Sequence, residues 1–204
     1  MNEAFEKRMV AGGGAALLEA SHFFMKTDPV HVTLAKITSK LDELSIPYAI
    51  VGGMALVAHG YDRTTVDVDV LVTSDGLTKI HAALEGLGYL PPFENSTQLR
   101  DTETSVRIEF LVTGSFPGDG KPKPIAFPDP LTCHVLIDGK RFVDEKTLVE
   151  LKLASGMSHA GRLKDLADVQ ELIRIKRWPA SYAEQLHPYV RNKFKELWDG
   201  VALD

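Results

Sequence analysis

The stretch from Val66 to Val72, V-D-V-D-V-L-V, constrains the fold more than any other part of this chain. Successive side chains of a strand point to opposite faces, so Val66, Val68, Val70 and Val72 share one face while Asp67 and Asp69 share the other. Four valines on one side require a core to bury them. The two carboxylates, about 7 Å apart along the backbone, let their oxygens converge on one cation. Without a cation or a base between them two such acids repel, so the pattern calls for a partner. Spacing alone is not the signal: Asp101 and Glu103 share it, in the setting R-D-T-E-T-S, which reads as a polar hairpin turn.

The flanking pattern alternates helix and strand. Val32, Leu34, Ile37, Leu41 and Leu44 recur at helical spacing from Pro29 and stop before Pro47. Y-A-I-V then enters a buried strand ending at Gly52 and Gly53, after which M-A-L-V-A-H reads as a short helix ended by Gly60. Beyond the acids, Ser74 is expected to cap a helix with Leu77, Ile80, Leu84 and Leu87 on its apolar side, closed by Gly88. Strands are expected at about 97–100 and 105–113; in the second, Ile108, Phe110 and Val112 alternate against Arg107 and Glu109. Residues 114–131 are too rich in Pro and Gly for regular structure, and a loop of that length in a compact domain is usually functional or disordered. A short strand near 133–137 and helices near 145–155, 163–175 and 188–198 complete the pattern. Residues 1–28, with Gly12 to Gly14 followed by A-A-L-L-E-A, read as a helical arm. The expected organisation is that arm, an α+β core at 29–143 with a mixed β-sheet flanked by helices, and a C-terminal helical region at 144–204.

At 204 residues the chain can bury a full core. No apolar run reaches the roughly 18 to 20 residues that cross a bilayer, so no membrane association is expected. The N-terminus lacks the order of a secretory signal and Cys133 is the only cysteine, which points to a reducing cytoplasm. A net charge of -5 argues against a broad nucleic-acid surface. The basic groups Arg174, Lys176, Arg177 and Arg191, Lys193, Lys195 sit at helical spacing among apolar residues and read as solvated helix faces.

Glu109 repeats the situation of the aspartates on another strand with an apolar face. If the two strands are neighbours, three carboxylates share a cleft suited to one or two Mg²⁺ ions. Otherwise Glu109 pairs with Arg107 or Arg63 on a solvated sheet face. Gly52 and Gly53 permit either close approach of an anion to the backbone or tight packing of helix on strand.

The run V-G-G-M-A-L-V-A-H-G-Y-D-R-T-T-V-D-V-D-V-L-V, followed by R-I-E-F-L-V, resembles the nucleotidyltransferase superfamily that shares its fold with DNA polymerase beta. Its pattern is a glycine pair opening a helix, two acids alternating with hydrophobic residues, and a third acid on a later strand. Gly52, Gly53, Asp67, Asp69 and Glu109 match it, although the third acid is more often Asp. The segment E-L-K-L-A-S-G-M-S-H-A-G-R-L-K-D-L-A-D-V-Q-E-L-I is similar to the C-terminal motif of the abortive-infection nucleotidyltransferase toxins and their uncharacterised bacterial relatives, at Lys152, Lys164, Asp165 and Asp168. Together the resemblance spans roughly 30–175.

The resemblance implies a nucleotidyltransferase fold with Mg²⁺ or Mn²⁺ on Asp67, Asp69 and Glu109, and nucleotide contacts from Gly52, Gly53, Arg63, Thr65, Lys152 and Asp168. The implied reaction moves a nucleoside monophosphate from an NTP to an acceptor hydroxyl, with pyrophosphate leaving. The acceptor is a small molecule, a protein or a tRNA end. The alternative is a non-catalytic nucleotide-binding or interaction component of a toxin/antitoxin pair, with an antitoxin as partner. Beside this, the residues leave choices open. Lys152 lies near the apolar face of its helix and either snorkels or faces a cleft, where it would meet triphosphate. Arg162 is within helical reach of Asp165, whereas Asp168 has no obvious partner. Arg63 either contacts phosphate or steadies the carboxylates. Lys121 and Lys123 are solvated loop lysines or close over nucleotide.

Overall fold

The computed structural model describes residues 20–23 and 25–202. Most of the arm read at 1–28 lies outside them. The described chain runs α1 (Pro29–Glu43), β1 (Tyr48–Ile50), α2 (Gly52–Ala58), β2 (Asp67–Val72), α3 (Ser74–Leu84), β3 (Tyr89–Leu90), β4 (Gln98–Asp101), β5 (Arg107–Val112), β6 (His134–Ile137), β7 (Lys140–Val143), α4 (Glu145–Ser158), α5 (Leu163–Lys176) and α6 (Pro188–Ala202), with 3₁₀ turns at Ala160–Arg162 and Ala180–Gln185. It is an α+β architecture. The strands form one mixed sheet in the order β3-β4-β5-β2-β1-β7-β6.

The valine face of β2 behaves as its alternation requires. Val68, Val70 and Val72 are fully buried, as are Ile108 and, all but completely, Phe110 on β5, whereas Val66 precedes the strand and is only partly buried. Helices α1 and α3 pack over β2 and β5 respectively. α1 starts where Asp28 accepts hydrogen bonds from the amides of Val30 and His31, with Pro29 in the first turn, where its missing N–H costs nothing. Its buried stripe is Val30, Thr33, Leu34, Ile37, Thr38 and Leu41. Val32 and Leu44, expected on that face, are exposed. They fall off the 3.6-residue stripe, and two threonines take the positions beside it.

Other boundaries shift for physical reasons. Thr73, not Ser74, caps α3, its hydroxyl accepting from the Gly76 amide. That helix ends at Leu84, leaving Leu87 76% exposed. Strand β7, K-R-F-V, carries no alternation that announces a strand, yet it pairs in parallel with β1 and antiparallel with β6. Asp101 is more than a turn residue: it is fully buried, takes an ion pair from Lys36 at 2.7 Å and accepts from the Glu103 amide. Burial would raise its pKa, but Lys36 and the amides outweigh that and hold its carboxyl below the usual value.

Among the described residues no helix is long and apolar enough to cross a membrane. Phe110 is among the largest fully buried side chains of the core. Replacing it by Ala should cost about 3–5 kcal/mol, measured by urea unfolding as a lower midpoint with an unchanged slope.

Candidate active site

Strand pairing assembles the site. β2 and β5 lie parallel with Asp67 opposite Arg107 and Asp69 opposite Glu109. Neighbouring strands are separated by ~4.8 Å, so side chains at matched positions stand side by side on the same face. The condition set by the sequence, that the two strands be neighbours, is met, and all three acids line one cleft of about 570 Å³. Lys152, Leu148 and Leu151 of α4 line it as well, together with residues of the 114–131 loop.

β1 runs antiparallel to β2 with Ile50 opposite Val70, which brings the chain after Ile50 alongside Asp69. The Val51 amide donates to the Asp69 carbonyl at 2.9 Å. Gly52 then turns the chain into α2 with φ +58°. A Cβ there would collide with the Asp69 carboxylate, so glycine is required on two counts. At Gly53 a Cβ would come within 2.6 Å of the Thr65 hydroxyl, which donates to Asp67 Oδ1 at 3.0 Å. Of the two readings left open for the glycine pair, close packing is the one these contacts explain: the glycines make room for Asp69 and for the residue that orients Asp67.

The three acids differ in partners. Asp67 Oδ1 is held by Thr65 and Oδ2 by Arg107 Nη2 at 2.6 Å; the same guanidinium lies 3.8 Å from Glu109 Oε2. Burial pulls the Arg107 pKa down and the Asp67 contact more than reverses it. The Asp69 carboxylate accepts no hydrogen bond and makes no ion pair among the described residues. Burial first, then the charges of Asp67 and Glu109, push its carboxyl up to about 7. No three His, Cys, Asp or Glu among the described residues are drawn together as a ready cage for metal; Asp67 is turned on Arg107 instead. Three carboxylates on one sheet face are nonetheless an all-oxygen donor set of the kind a hard divalent cation takes, and a cation there would meet the unpaired carboxylate of Asp69.

A second cluster lies across the cleft. Lys152 Nζ donates to Asp165 Oδ1 at 3.0 Å and Asp168 Oδ2 at 2.7 Å. Arg63 Nη1 spans both Asp168 oxygens at 2.8 and 2.9 Å. Ser155 donates to Asp165 Oδ2 and accepts from Arg162 Nε. Lys152 faces the cleft, as one of its two readings had it, but its charge is engaged by two carboxylates. Asp168, which has no partner discernible in the sequence, has two, and Arg63 steadies Asp168 rather than the acids of β2. Lys164 is different. It lines the cleft with no hydrogen bond or ion pair among the described residues, and burial followed by the Arg63 charge lowers its pKa.

The 114–131 loop forms a wall. Gly114 donates to the Phe127 carbonyl and Phe127 to that of Ser115, closing the loop at its base. Its tip docks on α4, where the Asp119 amide donates to the Ser158 hydroxyl. Phe116, Pro117 and Gly118 thereby line the cleft. Lys123 is neither solvated nor free to close over a ligand: it donates to the Pro117 carbonyl and to Asp119. The places of Phe116 and Arg107 were not read from sequence. Alternation does put Arg107 on the face of Glu109, whereas its place opposite Asp67 needs the register.

No protein-family model matches the chain, and no curated protein matches it. Among solved structures it is similar to ANT(2'')-Ia in complex with adenylyl-2''-tobramycin, at 15% identity over 84% of this chain and 96% of that one, with a TM-score of 0.44. It is similar to a chain from Helicobacter pylori provisionally described as a nucleotidyltransferase, at 15% identity over 83% and 90%, TM-score 0.46. An antigenic nucleotidyltransferase-like protein from Paracoccidioides brasiliensis is also similar, at 18% identity over 71% and 75%, TM-score 0.44.

Two outcomes follow. Folding raises the Asp69 pKa from 3.8 to about 7, so between those values the native chain holds a proton that the unfolded chain has released. Stability therefore falls as pH rises through that window and stays low above it. In chelator, Asp69→Asn should raise stability at pH 8 by ~1–2 kcal/mol, less than the whole shift because the residue is half-buried rather than enclosed, and change little at pH 4. Thermal melts at both pH values check this. Second, Asp168→Ala leaves Arg63 and Lys152 facing each other and should cost about 3–5 kcal/mol, read by chemical denaturation; a cost below ~1 kcal/mol would contradict the structural role.

Proposed function

We propose that this chain is a divalent-cation-dependent nucleotidyltransferase that moves a nucleoside monophosphate from an NTP to an acceptor hydroxyl, releasing pyrophosphate. The observation that carries the reading is the register that sets Asp69 beside Glu109 and one step from Asp67, in a cleft that Lys164 also lines. Asp67 and Asp69 would hold Mg²⁺ or Mn²⁺. When bound, such a cation neutralises triphosphate charge and polarises the reacting phosphoryl group.

The remaining work falls to the chain. Glu109, less tightly paired than Asp67, would accept the proton as the acceptor oxygen bonds to the α-phosphorus and the bond to pyrophosphate breaks. The triphosphate contact assigned by resemblance to Lys152 passes in this reading to Lys164, whose ammonium has no carboxylate on it. Lys152, Asp168 and Arg63 would act on the site by fixing α4 and α5 against the segment that carries Thr65. Phe116 and the loop wall would limit the access of water to a bound nucleotide. The NTP and the acceptor are left to experiment, the acceptor being a small molecule, a protein or a tRNA. Cys133 takes no part: it is buried, and burial pushes its thiol up to about 12, which leaves it a poor nucleophile.

The test is incubation of the purified chain with radiolabelled ATP, CTP, GTP and UTP and Mg²⁺ against a cell extract. One label should enter a metabolite, protein or RNA, and Asp69→Asn should reduce that transfer about a thousandfold while keeping a cooperative melt. Glu109→Gln should reduce it by 10²–10⁴-fold, the usual contribution of a general base. Undiminished transfer by Asp69→Asn would sink the assignment.

A further inference from the structure

The geometry points to Arg107 as a built-in competitor for the cation: its guanidinium holds Asp67 in the cation's place and gives it up as the cation loads. This rests on the reading of the three acids as a cation site. Arg107 stands opposite Asp67 in the β2–β5 pairing, on the acid face. Its Nη2 is 2.6 Å from Asp67 Oδ2 and 3.8 Å from Glu109 Oε2, so it occupies the gap between the two outer acids. A cation shared by Asp67, Asp69 and Glu109 would enter that same gap, and two positive groups cannot hold it together. The other Asp67 oxygen is taken by the Thr65 hydroxyl, which Gly53 keeps close. The exchange therefore runs through Oδ2.

Nothing fixes Arg107 once it lets go. Its side chain is 44% exposed and its only described partners are those two acids. On release, the guanidinium stays at the cleft mouth, where its planar fork suits a phosphate group. In the cation-free chain it relieves the repulsion among carboxylates that would otherwise fall on all three. Arg107 is thus a positioning residue for Asp67 that sets how readily the site takes its cation.

A competitor differs from a structural brace in the sign of its removal. Loss of a brace weakens cation binding, and loss of a competitor tightens it. The test is titration of the full chain with Mn²⁺ alone, free Mn²⁺ being read by electron paramagnetic resonance at fixed ionic strength and pH 8. Arg107→Gln should bind Mn²⁺ about fivefold tighter than wild type, the size of a partly exposed ion pair. Arg107→Lys, the milder change, should move the same way by less. Lys164→Met, which removes a positive charge that acts on Asp67 without touching it, should shift affinity by under about twofold. Unchanged or weaker binding by both Arg107 variants, or an equal gain from Lys164→Met, would overturn the inference while leaving the cation site standing. Absence of Mn²⁺ binding by wild type and by both Arg107 variants would overturn the cation site itself.

Discussion

Asp69 is a carboxylate built into a sheet face with Asp67 and Glu109 beside it and no positive group in contact with it, and its ionised form is correspondingly disfavoured. Much of the surrounding structure exists to keep it there. Gly52 has no side chain because Asp69 occupies that volume, and its positive φ turns β1 into α2 at the same point. The Val51 amide ties the end of β1 to the Asp69 carbonyl. The valines opposite lock the register of β2, since a one-residue slip would exchange the buried face with the acidic one.

The neighbouring charges are arranged around this unpaired acid without touching it. Thr65 and Arg107 hold Asp67, and Arg63, Lys152, Asp165 and Asp168 neutralise one another across the cleft. That second network is buried and internally satisfied, so it joins α4 and α5 to the segment between α2 and β2 as one rigid wall. A buried network of this kind resists loss of any single member, because each removal strands a charge. An unpaired acid beside such a network costs stability, as is common where a site is kept for chemistry, the role proposed here for Asp69.

Sequence made the parts legible where periodicity is strict. The valine alternation of β2 gave its faces, and Ile108 and Phe110 gave those of β5. What alternation cannot give is register between distant strands, and the site depends on it: Asp69 beside Glu109 and Arg107 beside Asp67 are facts of pairing across some forty residues. The same limit hid the partners of Asp168 and Lys152, which lie on separate helices and, for Arg63, 105 positions away. Val32 and Leu44 misled because a helix can place threonines on its buried side when their hydroxyls find acceptors, as Thr38 does at the Leu34 carbonyl. Strand β7 carried too few apolar residues to be seen, and its place is fixed by pairing with β1. The glycine pair was visible, but its contacts with Asp69 and Thr65 were not.

In the proposed function Asp67 and Asp69 together hold a divalent cation on the β2 face. Anomalous diffraction from crystals soaked in Mn²⁺ tests it without any assumption about the nucleotide or the acceptor. The expected result is a strong peak at the carboxylates of Asp67 and Asp69, with Arg107 withdrawn from Asp67. A density map with no peak there, or with Mn²⁺ bound elsewhere and the Arg107–Asp67 pair intact, would contradict it.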